Sequence, residues 1–93
     1  MLSVNSYFED KVKSIGFDQN GNAISVGVML PGNYTFGTNA AEKMTVISGS
    51  LEIKRTTDID WVTFASGEDF SVKGNSSFDV KVSLETAYLC EYL

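Results

Sequence analysis

The 93-residue chain contains no histidine, a single arginine, Arg55, and a single cysteine, Cys90. Histidine is the commonest general acid or base near neutral pH and the commonest metal ligand, so Ser-His-Asp, Cys-His and histidine-ligated metal chemistry are all excluded. Any catalysis falls to carboxylates, hydroxyls, amides, Tyr, Lys, Arg or backbone N–H groups. Cys90 cannot form an intrachain disulfide, and its sequence neighbours offer no cation to lower its pKa, so it reads as a small core residue. Seven basic residues stand against twelve acidic ones, a net charge of −5, and no stretch concentrates Lys or Arg. Nucleic acid is therefore excluded as a main partner, because neutralising phosphates needs a basic face. The first ten residues carry neither a basic start nor a long apolar run, and no later stretch is long and apolar enough to span a membrane. The expectation is a cytoplasmic protein with no membrane partner.

Strands must position whatever chemistry there is. The chain holds 21 Val, Ile and Thr residues and 11 aromatic ones, types that suit a pleated, half-buried surface. Phe78, Val80 and Val82 alternate with Asp79 and Lys81, and the same period of two runs through Ile24–Val28 and Leu51–Lys54, which gives each strand one core face and one wet face. Turn chemistry recurs at Asn20-Gly21, Pro31-Gly32, Ser48-Gly49, Ser66-Gly67 and Gly74-Asn75. Strands are expected near 11–17, 23–30, 34–38, 44–48, 50–55, 61–65, 69–72, 77–82 and 87–92. Helix is confined at most to 6–13, and about ten residues at the start read as an arm, flexible or covering a sheet edge. Residues 1–93 make one domain, since two halves would each be too small to close a core. The cadence is that of an all-β sandwich or barrel.

Parity along these strands collects Tyr34, Phe36, Phe70, Phe78, Tyr88 and Tyr92 on inward faces, an aromatic wall on which any flat base could stack. For each of them the alternative is plain core packing. Thr38 could add a hydroxyl contact. Arg55 shares parity with Leu51 and Ile53, so it either follows them inward or escapes to solvent at the strand end. Lys73 precedes Gly74-Asn75-Ser76-Ser77, a segment able to form an anion nest or simply a turn. Lys11 and Lys13 flank Val12 and read either as anion ligands or as guards against edge-to-edge association.

The segment from Gly32 to Gly49 resembles the first motif of cupins, with Glu42 and Gly49 in the Glu-x6-Gly positions and Phe36 and Thr38 where two histidines usually stand. Gly67 to Phe78 resembles the second motif, with Lys73 in place of the usual Pro and Phe78 in place of the usual His. More closely still, Lys11–Phe17, Ser25–Met29, Met44–Gly49 and the ending Tyr88–Leu93 look like the single-domain pyrimidine/purine nucleoside phosphorylase family. The resemblance implies a cupin-type jelly-roll β-barrel and a homodimer. It also implies broad phosphorolysis of nucleosides to free base and α-D-ribose 1-phosphate, with inorganic phosphate as co-substrate and no other cofactor and no metal. On the cupin pattern Glu42 points into the barrel as the catalytic candidate, the alternative being a strand-end cap or a pair with Lys43 or Arg55. Tyr34, Phe36, Thr38, Phe70, Phe78 and Tyr88 are then the expected substrate contacts, and Arg55, Lys73 and Lys13 the expected phosphate ligands. A non-catalytic nucleoside- or sugar-binding cupin is the competing expectation.

Overall fold

A period of two can bury only one face of each strand, and here the ten strands stack in two layers with the core between them. The computed structural model describes residues 2–93, among which there is no helix. The strands are β1 (Ser3–Tyr7), β2 (Val12–Gln19), β3 (Asn22–Met29), β4 (Gly32–Thr38) and β5 (Glu42–Ser48). They continue as β6 (Ser50–Arg55), β7 (Val62–Ala65), β8 (Asp69–Val72), β9 (Ser76–Val82) and β10 (Thr86–Tyr92). A six-stranded sheet runs in the order β1-β2-β3-β10-β5-β8, and a four-stranded sheet in the order β4-β9-β6-β7, all pairs antiparallel. The chain crosses repeatedly between them, the jelly roll of a cupin. Val12, Val46, Leu51, Ile53 and Val80 are fully buried between the layers and form the solid end of the interior.

Each of the nine expected strands is present, shifted by at most two residues at an end. The hairpin of β2 and β3 turns on Asn20-Gly21, both with positive φ (52° and 80°), the conformation of a two-residue type I′ turn. It fixes the register that sets Ser14 opposite Gly27.

The beginning of the chain differs from expectation. Ser3–Tyr7 is a tenth strand, paired with β2 from Ser3 opposite Gly16 to Tyr7 opposite Val12, and no helix forms over 6–13. Phe8, Glu9 and Asp10 all take left-handed backbone conformations (φ 52°, 56° and 68°) and reverse the chain. Such φ values are costly for residues with a Cβ. The Phe8 ring offsets part of that cost by packing on Tyr34 and Phe36, with centroids 4.9 and 5.3 Å away. Ser6 Oγ, donating to Asp10, and Lys11 N, donating to Phe8 O at 3.2 Å, tie the tip together.

Trp61 lies against the outer face of the four-stranded sheet. Lys81 Nζ stands 4.1 Å from its ring centroid, a cation–π contact.

Candidate active site

The inward faces do not fill the whole space between the sheets. Where β2, β3, β5 and β10 face β4 and β9, a cavity of about 320 Å³ remains, within the size range of small-ligand pockets. The six-stranded sheet supplies Tyr7, Ser14, Met29, Glu42, Met44, Tyr88, Cys90 and Tyr92. The four-stranded sheet supplies Phe36, Gly37 and Phe78, and the β4–β5 connection supplies Asn39 and Ala40. Phe36 and Phe78 sit opposite each other in the β4–β9 register and stack with centroids 5.5 Å apart and planes 24° from parallel. They present one flat aromatic wall.

Glu42 opens β5 and is half-buried in this lining. Its Oε1 accepts a hydrogen bond from Cys90 Sγ at 3.4 Å, across the β5–β10 pair. Burial raises the Glu42 carboxyl above its ordinary value, and the thiol bond opposes that in part. Burial, reinforced by the facing carboxylate, pushes the Cys90 thiol up to about 12, so it stays a donor and not a nucleophile. The Tyr88 and Tyr92 phenols are raised by burial as well and remain protonated donors. Tyr92 Oη lies 3.2 Å from Ser25 Oγ, which anchors the far side of the Glu42–Cys90 pair.

Glu42 pairs with neither Lys43 nor Arg55. Lys43 turns to the opposite face and pairs with Asp69 at 3.9 Å. Arg55 pairs with Asp58, Nε to Oδ2 at 2.9 Å and Nη2 to Oδ1 at 3.2 Å, while its Nη1 donates to Ser71 O at 3.0 Å. Those bonds hold the Asp58 carboxyl below its usual range.

Of the expected substrate contacts, Phe36, Phe78 and Tyr88 line the cavity with Glu42. Tyr34 and Phe70 point inward but serve the core: Tyr34 Oη donates to Leu30 O at 2.6 Å, and Phe70 is wedged between Phe64 and Phe78. The Thr38 hydroxyl donates to Lys73 O at 2.6 Å and accepts from Ser76 N at 3.0 Å, fastening the β8–β9 turn. The expected phosphate ligands stand apart from the cavity. Arg55 and Lys73 line a separate groove with Thr56, Thr57, Ser71 and Ser76, and Lys13 lies on the outer face of β2 between Ser6 and Val28. The positions where a cupin metal would be held carry Phe36, Thr38 and Phe78 beside Glu42. Two rings and a hydroxyl already satisfied by backbone groups do not fit a metal.

Tyr7, Ser14 and Asn39 line the cavity without having been expected there, and Cys90 is the small core residue expected, with the added role of donating to Glu42. Ser14 carried one usable signal, a small polar residue on the inward parity of Val12.

Residues 2–92 match the family model described as pyrimidine/purine nucleoside phosphorylase. A curated protein of that name from Aliivibrio fischeri is 84% identical over 93 residues, covering 100% of both chains. The crystal structure of a protein of unknown function from Vibrio parahaemolyticus superposes with a TM-score of 0.97 at 59% identity, covering 100% of this chain and 99% of the other. The structure of Fe(II) HppE is 9% identical, with a TM-score of 0.81 over 99% of this chain and 56% of that one, a likeness of fold alone.

Proposed function

Because this chain belongs to the pyrimidine/purine nucleoside phosphorylase family, we propose that it cleaves nucleosides with inorganic phosphate, releasing free base and ribose 1-phosphate. The observation that carries the reading is the half-buried Glu42 carboxyl held by Cys90 beside the stacked Phe36 and Phe78 rings, in a cavity of small-ligand size. In phosphorolysis a phosphate oxygen forms a bond to C1′ while the C1′–N bond breaks and its electron pair leaves with the base. The ribosyl centre gains positive charge and the base negative charge. Burial raises the Glu42 pKa and so favours the protonated carboxyl, which in that form can give its proton to the departing base; general acid catalysis of this kind contributes about 10²–10⁴-fold. The aromatic wall offers a π face to purines and pyrimidines alike, which suits broad specificity.

Purified protein incubated with uridine, inosine or adenosine is expected to yield free base and ribose 1-phosphate only when phosphate is present. No product with phosphate overturns the proposal. The lining holds no Lys or Arg among the described residues, and that favours one other reading, a nucleoside-binding module without turnover. Saturable nucleoside binding with no phosphate-dependent product would select it.

The functional unit we infer is a two-fold dimer. On the outer face of the six-stranded sheet, Val4, Ile15, Val26 and Leu89 lie side by side in register across β1, β2, β3 and β10. Val4, Ile15 and Val26 are exposed, as is Val28 on the adjoining row. An aligned apolar row on a solvent face marks an interaction surface, and a second copy matches it by symmetry. Light scattering at micromolar concentration is expected to give twice 10.2 kDa, and Val26→Lys to halve it. A wild-type particle of 10.2 kDa refutes the dimer.

A further inference from the structure

The geometry points to an anion site for the co-substrate phosphate at one end of the cavity, built from the neutral hydroxyls of Ser14, Tyr88 and Tyr7, with the leaving base at the other end beside Glu42. This rests on the phosphorylase reading above and deepens it.

The two ends follow from strand register. Ser14 on β2 is opposite Gly27 on β3, and Gly27 is opposite Tyr88 on β10, so the serine and the tyrosine flank a residue without a side chain. A Cβ at Gly27 would lie 2.6 Å from Tyr88 Oη, so the phenol extends across the glycine. There it approaches Ser14, whose hydroxyl partly offsets the effect of burial on the phenol. Tyr7, opposite Val12, adds its phenol two residues along β2 from Ser14. Glu42 is opposite Tyr92, four residues along β10 from Tyr88, which is ~13 Å between backbone positions at the strand rise. The Glu42 side chain leans back only as far as Cys90. One end of the cavity therefore gathers the Ser14, Tyr88 and Tyr7 hydroxyls beside Met29, and the other carries the carboxyl.

Charge decides the occupants. Phosphate brings about −1.5 to −2 charge at neutral pH, and O–H donors stabilise it, so it belongs at the end that gathers the hydroxyls. Burial keeps the Tyr88 phenol protonated, so it donates throughout the working pH range. Stereochemistry agrees with this placement. A single displacement brings phosphate to the ribose face opposite the base, so nucleophile and leaving group must lie at opposite ends of the site. The phosphate oxygen's lone pair forms the bond to C1′, the C1′–N pair goes to the base, and the Glu42 proton follows it there.

Tyr88→Phe removes the donor while leaving the ring. It is expected to raise KM for phosphate about tenfold or more, the weight of one hydrogen bond to a charged group, with KM for nucleoside within about twofold. Ser14→Ala and Tyr7→Phe are expected to shift it in the same direction by less. Phosphate binding to the protein without nucleoside, followed by calorimetry or ³¹P line broadening, is expected to weaken in parallel. Turnover with phosphate KM unaltered in all three variants overturns the placement, and so does a rise confined to Arg55→Ala or Lys73→Ala. Phosphate that binds the wild type but not Tyr88→Phe, in a protein that turns over no nucleoside, upholds the anion site and refutes the reaction instead.

Discussion

Glu42→Gln is expected to lower kcat about 10²–10⁴-fold with KM for nucleoside and phosphate changed little, because the amide keeps the shape and the acceptor for Cys90 but has no proton to give. The pH dependence carries the sign. An acid role needs the protonated carboxyl, so wild-type activity is expected to fall as pH rises through the raised Glu42 value, and the variant to lose that limb. A carboxylate that merely offset a ribosyl cation would give the reverse, activity lost as pH falls. Stability is linked to the same group. Its folded value lies above the ordinary 4.5, so its contribution is complete below that pH and is lost as pH rises through the folded value. Melting curves across that window are expected to show Glu42→Gln gaining on the wild type as the solution becomes more alkaline. Parallel curves would mean that the carboxyl is ionised and solvated, which sinks the acid role.

Gly27→Ala is expected to cost about 1–3 kcal/mol, the range for overpacking a filled interior. In a domain of this length that lowers Tm by roughly 4–8 °C per kcal/mol. The new methyl would stand 2.6 Å from Tyr88 Oη and 2.7 Å from Lys13 O. The second of these is backbone, held in the β2–β3 ladder, so only the ring can yield. Displacing it moves the phenol away from Ser14, and phosphate affinity is expected to fall along with Tm. A variant that melts like the wild type and holds phosphate equally well would show that Tyr88 does not depend on that gap.

Only some residues carry a local signal of the place they take in the fold. Alternation was enough for nine strands and for the inward parity of all six aromatic residues. Ser3–Tyr7 was not legible because it sits at a sheet edge with most of its residues exposed, so burial imprints no period on it. Glu42 was legible through its spacing to Gly49. Arg55 had the right parity, but Asp58 three residues later captures its guanidinium at the end of β6, a contact that alternation does not encode. Ser14 and Cys90 gain their roles only from partners 74 and 48 positions away, through the registers that bring β2, β3, β5 and β10 together.

The single tryptophan has a bearing on how ligands are detected. Trp61 packs under Lys81 on the far side of the four-stranded sheet, away from the space between the layers. Its fluorescence follows denaturation of the chain but is blind to a nucleoside entering the interior. Titrations that rely on indole emission would miss real binding, and tyrosine absorbance or heat is the appropriate signal.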